Sequence, residues 1–316
     1  MVKKILFLSS LTIVLNGCSQ PTNDKTERTS EDALTDSIHE FSDPIEVVEE
    51  QSFDSTRLNY SWLEDFELVN TLVNRIDVPE GFERMEYETG SFADWLRHLP
   101  LKEGVPDVLL YNGETKWNQD AHHAVVDLDL DNRDLQQCAD AVMRLKAEYH
   151  YQNNQFDRIH FNYTSGDNVP YSKWASGKKP VVSGRDVVWR TCSSCDDSYD
   201  SFRKYMLSIF NYAGTASLEK ELNSKSWNDV SAGDVIIKGG SPGHAVLVLD
   251  VAQNVTTGDK VFLIAQSYMP AQQSHILKNP ENGMLSPWYS ISEIGQGSVF
   301  TPEWTFDNNS LMEFED

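Results

Sequence analysis

Three apolar runs in the last third of the chain constrain its fold most strongly. Asp234 to Lys238 (DVIIK), His244 to Val251 (HAVLVLDV) and Val261 to Gln266 (VFLIAQ) follow one another closely. A Gly-Gly-Ser-Pro-Gly turn separates the first two, and a loop containing Gly258 separates the last two. Short β-branched runs bounded by turn residues read as strands. Links this short join antiparallel neighbours, because a parallel return needs a crossover of about a dozen residues. An apolar sheet must also be covered, so helices are expected to lie on it.

Those helices stand upstream. Asp134 opens the clearest one, DLQQCADAVMRLKAEYHY. Asp134 is expected as its N-cap, with Gln137 three residues later completing a capping box. Leu135, Cys138, Ala139, Val142, Leu145 and Tyr149 share one face, and Arg144 and Glu148 are spaced for an i,i+4 pair. A second long helix is expected over 198–212, with Phe202, Tyr205, Met206, Ile209 and Phe210 inward and Gly214 as its C′ residue. Shorter helices fit 91–99, stopped by Pro100, and 218–222. Further strands fit 108–111, 124–130, 159–163 and a segment of 181–188 around Ser183-Gly184. With no repeat, coiled coil, internal transmembrane span or further composition break, residues 58–316 read as one α+β domain.

The first 57 residues differ in character. Met1-Val-Lys-Lys precedes an apolar run, Ile5 to Leu15, too short to span a bilayer. The following Asn16-Gly17-Cys18 resembles a bacterial lipoprotein signal, in which a peptidase cuts before a diacylglycerol-bearing Cys. On that resemblance, 1–17 is a signal peptide and Cys18 the lipid attachment site. A plain secretory signal cut nearby is the other reading. Ser19 rather than Asp follows Cys18, which points to the outer membrane of the cell envelope. Residues 18–57 are acidic and poor in aromatics, as an extended tether requires. The whole chain carries 26 Lys and Arg against 49 Asp and Glu, a net charge of -23. That excludes a generic nucleic-acid binder and charge-driven docking on anionic lipid, so membrane contact is expected through the lipid anchor alone.

One set of residues carries possible chemistry. Cys138 lies near a helix start, His244 at the mouth of a strand, and Gln266 at the end of the next. A helix N-terminus stabilises a thiolate, an imidazole can take the thiol proton, and a polar side chain can orient the ring. Gln137 or backbone N–H groups at the helix start could receive an oxyanion. This order resembles papain-like cysteine hydrolases. Gln-Gln-Cys-Ala-Asp-Ala (136–141) looks like the Cys-helix start of CHAP amidases. The stretch Gly-Asp-Val-Ile-Ile-Lys-Gly-Gly-Ser-Pro-Gly-His-Ala-Val-Leu-Val-Leu-Asp (233–250) is similar to the His-strand of CHAP and NlpC/P60 peptidoglycan hydrolases. The resemblance implies a papain-like core with N-terminal additions, in which Cys138 is nucleophile, His244 base and Gln266 orienter. The gap from Cys138 to His244 exceeds that of compact domains in those families. Gln266 also replaces their usual His, Glu or Asn, and the expected helix places Cys138 about one turn in. The competing reading is a packed core thiol, a hydrogen-bonded turn histidine and a buried amide.

A longer resemblance covers about 82–306. Gly-Ser-Phe-Ala-Asp-Trp-Leu-Arg (90–97), Asp134 to Tyr149, Phe-Asn-Tyr-Ala-Gly-Thr-Ala-Ser-Leu (210–218), Gly-Gly-Ser-Pro-Gly-His-Ala-Val (239–246) and Ala-Gln-Ser-Tyr-Met-Pro-Ala-Gln (265–272) carry it. They resemble the Bacteroides-type lipoprotein family called domain of unknown function 4846. This implies a surface-anchored lipoprotein of the Bacteroidetes and no particular activity.

Other features read more plainly. Cys192-Ser-Ser-Cys195 suits a local disulfide or two loop thiols; Asp196 and Asp197 would raise a thiol pKa, and no βαβ unit surrounds it. His160 could add one zinc ligand to that pair, and His122, His123, Asp127 and Asp129 lack recognised metal spacing, so no metal or cofactor is expected. Trp174, Trp189, Trp288 and Tyr289 could stack on sugar rings. Two functions therefore stand as expectations. One is a monomeric, lipid-anchored cysteine hydrolase (amidase or peptidase) acting on a cell-wall peptide. The other is a non-catalytic surface lipoprotein binding glycan or a protein partner.

Overall fold

The computed structural model describes residues 58–294 and 297–315. The expected signal peptide, the expected lipid attachment at Cys18 and the expected tether lie outside those residues. In chain order the elements begin with α1 (Leu72–Arg75), β1 (Phe82–Arg84), α2 (Phe92–Arg97) and β2 (His122–Val125). Next come α3 (Cys138–Gln152), β3 (His160–Asn162), β4 (Asn168–Pro170), α4 (Tyr171–Ala175), β5 (Lys178–Ser183) and β6 (Asp186–Thr191). The middle continues with α5 (Tyr199–Tyr212), α6 (Thr215–Glu221), β7 (Leu222–Ser224), β8 (Val235–Lys238), β9 (His244–Asn254) and β10 (Lys260–Gln266). The chain closes with β11 (His275–Leu277), β12 (Tyr289–Ser290), α7 (Ile291–Ile294), β13 (Ser298–Phe300), β14 (Thr305–Asp307) and β15 (Leu311–Phe314).

Among the described residues nine strands form one sheet with the path β2-β11-β10-β9-β8-β15-β7; β1 also pairs with β9 and β12 with β10. Every pairing is antiparallel. The three C-terminal apolar runs are its adjacent central strands β8, β9 and β10. Their unbroken hydrophobicity has a physical cause: the sheet is covered on both faces, so neither side chain set meets water. Ala245, Leu247, Leu249, Leu263 and Ala265 join the core beneath the helices. Val246, Val248, Phe262 and Ile264 join a smaller core with Ile294, Val299 and Phe306 from α7, β13 and β14.

The β9–β10 register shifts between Leu263 and Ile264. Asp250, fully buried at this irregularity, takes Arg84 at 2.7 Å and Arg97 at 2.6 Å. Those two ion pairs tie β1 and α2 to the central strand. Arg144 and Glu148 do pair, but both are buried rather than solvated. Arg144 also reaches Asp129 and donates to Gln136 Oε1 at 2.7 Å, while Tyr199 OH donates to Glu148 at 2.8 Å. Helix α3 is thus fixed to α5 and to the segment just ahead of Cys138.

Several local expectations are corrected. Helix α3 begins at Cys138, not after Asp134. Gln137 is the N-cap residue, and the Asp140 carboxylate accepts from its backbone N–H at 3.0 Å. Asp134 instead accepts from the Ala271 N–H at 2.7 Å and from Gln137 Nε2 at 3.0 Å. A tertiary donor has captured the carboxylate that local pattern assigned to capping. Helix α5 ends at Tyr212 with Ala213 as its C-cap, so Gly214 does stand at C′, but it is extended rather than left-handed and serves as the N-cap of α6. The run 108–111 makes isolated bridges from Leu109 to Thr115 and Leu110 to Gln272 rather than a strand.

Candidate active site

The later helix start changes the place of Cys138. It is the first helical residue, and its own N–H has no intrahelical acceptor. The segment ahead of it is pinned to the loop after β10. Besides the Asp134–Ala271 bond, Ser267 Oγ donates to Gln136 O at 3.1 Å. These contacts bring the head of α3 to the ends of β9 and β10. The backbone N–H groups of Ala139, of Ala245 (the residue after His244 in sequence) and of Cys138 itself are near enough to favour a thiolate there. Cys138 lines a groove of about 380 Å³ with Gln137, Asp140, Thr215, Gly243 and Met269. Cys138 is only 8% exposed.

The turn that delivers His244 requires glycine. A Cβ at Gly243 would lie 2.5 Å from Gly240 O and 2.8 Å from Lys238 O, inside hard contact with backbone. His244 then enters β9 opposite Lys238. Its ring packs among Tyr268, Trp304 and Phe306, with centroids 4.6, 5.4 and 5.7 Å away. His244 Nε2 bonds Gln266 Oε1 at 2.9 Å. Gln266 Nε2 in turn donates to Glu303 Oε2 at 2.6 Å and faces His275 Nε2 at 3.3 Å. Lys116 closes the line with a 2.7 Å ion pair to Glu303. Gln266 and His244 are brought together on the sheet face of Val246, Val248, Ile264 and Phe306, whereas Ala245, beside Cys138, faces the helices; the expected meeting of thiol and imidazole is not seen, and among the described residues no hydrogen bond or shared groove joins them. Glu303, Lys116, His275 and the aromatic wall were missed in the sequence, where they follow no local period around the Cys or His strings.

Burial sets the electrostatics. It pushes the Cys138 thiol up to about 11; the Ala139 and Ala245 amides oppose this and Asp140 adds to it. Burial also raises Asp140 to about 8. His244 is pushed down to about 4 by burial, against the Gln266 bond. The helix start does not overcome desolvation here, so thiol and imidazole both rest neutral. The Gln137 side chain donates to Asp134, so the expected oxyanion donor is already engaged, while the Cys138 N–H at the helix head has no intrahelical acceptor.

The remaining candidates have other employment. Cys192 and Cys195 are disulfide-bonded. His122 Nε2 bonds Pro106 O at 3.0 Å, and Asp129 pairs with Arg144 and Arg203. Among the described residues no cluster of three or more His, Cys, Asp or Glu is placed to hold a metal. Trp174, Trp288 and Tyr289 are buried, and Trp189 is half-buried beneath Lys173, so these four do not form a sugar-stacking face. A larger groove, about 600 Å³, is lined by Lys146, His150, Arg158, Lys220 and Glu221 among others, without a thiol or hydroxyl nucleophile. Among the described residues no helix is long and apolar enough to cross a membrane.

Residues 72–313 match the family model described as domain of unknown function 4846. No curated protein and no solved structure matches the chain. The CHAP and NlpC/P60 likeness accordingly rests on its two local strings.

Proposed function

The chain belongs to the domain of unknown function 4846 family, and from that premise we propose that it is a lipid-anchored cysteine hydrolase of the cell envelope. The substrate class is an amide of a cell-wall peptide, cut on a papain-like arrangement of helix and sheet. One observation carries the reading. The Cys138 thiol at the head of α3 lies beside the backbone of Ala245, the residue that follows His244 in β9, and His244 Nε2 is held by Gln266 at 2.9 Å.

Hydrolysis requires the mouth of β9 to bring His244 Nδ1 to the Cys138 thiol, and the steps are then these. His244 Nδ1 takes the thiol proton as Cys138 sulfur attacks the carbonyl carbon. The oxyanion is received by the Cys138 N–H. The imidazolium returns its proton to the leaving amine as the C–N bond breaks, giving a thioester. Water then attacks the thioester, with His244 taking its proton and restoring the thiol. Because both groups rest neutral, proton transfer accompanies attack rather than preceding it.

The test is incubation of purified protein with peptidoglycan, followed by mass analysis of released peptides and of newly freed amines. Activity that is present in the native chain and absent in Cys138→Ala supports the reading. Equal activity in both proteins, or none in the native chain, overturns it. A non-catalytic surface lipoprotein that binds glycan or protein is favoured by one observation, the burial of Cys138. That reading expects Cys138→Ser to bind peptidoglycan as the native chain does, with no cleavage by either.

A further inference from the structure

The hydrogen bonds behind His244 have only one consistent assignment. Lys116 Nζ lies 2.7 Å from Glu303 Oε2, so that oxygen belongs to a carboxylate with no proton to give. The same oxygen is 2.6 Å from the Gln266 amide, which must therefore turn its NH₂ group toward Glu303. His275 agrees from another side. Its Nδ1 lies 2.8 Å from the carbonyl oxygen of Gln273, an acceptor, so Nδ1 carries the ring proton. His275 Nε2 is then a bare acceptor for the second amide hydrogen at 3.3 Å. With both hydrogens of the amide committed, Gln266 Oε1 is left facing His244 Nε2 at 2.9 Å and needs a donor there. Asn118 Nδ2, 3.4 Å from Glu303 Oε1, steadies the other carboxylate oxygen.

We propose that Glu303, anchored by Lys116 and assisted by His275, is a positioning residue that fixes the Gln266 amide and so holds His244 as its Nε2–H tautomer. Nδ1 is thereby left unprotonated. A flipped amide would set two oxygens against each other at Glu303 and would reverse the tautomer. Nδ1, the nitrogen that the hydrolase reading needs as base, would then carry a proton. The tautomer follows from geometry alone; its catalytic consequence rests on the hydrolase reading above.

The experiment is long-range ¹H–¹⁵N NMR on the full chain with ¹⁵N-labelled histidine, the His244 signals being identified by their loss in His244→Gln. The native protein should show one His244 species, protonated at Nε2. In Glu303→Gln the position can donate or accept, so a mixture or the Nδ1–H form should appear. Hydrolysis should fall in parallel, bounded by the about 10⁴ that a wrong imidazole tautomer costs a serine-histidine-aspartate site. Glu303→Asp should keep the native tautomer. An Nδ1–H native protein overturns the proposal even if no variant folds, and so does an unchanged tautomer in folded Glu303→Gln. A native Nε2–H signal in a protein without hydrolysis leaves this proposal standing and removes the hydrolase reading.

Discussion

At pH 7 the Cys138 thiol should be almost wholly protonated, and its reactivity should say so. With its pKa pushed up to about 11, the thiolate fraction is about 10⁻⁴, against about 3% for an ordinary cysteine of pKa near 8.5. The rate of alkylation by a small electrophile should thus be lower by about 300-fold from ionisation alone. His244 does not rescue it. The gap between about 11 and about 4 corresponds to about 10 kcal/mol against moving the proton from sulfur to ring. A contact ion pair returns about 4 kcal/mol at an effective dielectric near 20. The assay is iodoacetamide labelling across pH, resolved at Cys138 by peptide mass. The rate should climb about tenfold per pH unit from neutrality toward pH 10, with nearly the same profile in His244→Gln. A flat plateau from about pH 5 to 8 that vanishes in His244→Gln would refute the neutral pair and reveal a resting thiolate. On the hydrolase reading, cleavage needs the bare imidazole and should hold from about pH 5 upward, falling as His244 protonates near pH 4.

Other perturbations test the scaffold. Gly243→Ala drives a Cβ into the carbonyls of Gly240 and Lys238 and should cost about 1–3 kcal/mol, read as a lower urea midpoint, while displacing His244 and abolishing hydrolysis. Unchanged stability and activity would mean that the turn is not what sets the histidine. Asp250→Ala strands Arg84 and Arg97 beside a buried site and should destabilise by about 3–5 kcal/mol in the same assay; a loss under about 1 kcal/mol would show that solvent reaches them. His244 also links stability to pH. Its folded pKa of about 4 lies below the unfolded value near 6.5, so the unfolded chain binds the extra proton in that window. Stability is whole above about pH 6.5 and declines toward pH 4, with the native chain losing about 3 kcal/mol more than His244→Gln over the interval. Equal losses in urea denaturation would place His244 in solvent.

Elements whose identity rests on neighbours in sequence could be read without coordinates. The DVIIK, HAVLVLDV and VFLIAQ runs name central strands because burial on both faces demands continuous apolar side chains, and short turns leave antiparallel pairing as the way to join them. The helix carrying Cys138 and the helix ending at Tyr212 were legible from their 3.6-residue periods. The order thiol, imidazole, amide along the chain was legible too. The start of α3 was not, because the Ala271 N–H, far away in sequence, holds the Asp134 carboxylate that would otherwise cap it. Nor were Glu303, Lys116 and His275 around Gln266, or Asp250 between two arginines. Each of these depends on which distant segments the packed sheet brings within about 3 Å, and hydrogen-bond geometry at that range leaves no periodic trace in the chain. Local propensity chose the elements; long-range contacts and exclusion of water set which charges are paired, where the helix begins, and how tightly the thiol and imidazole keep their protons.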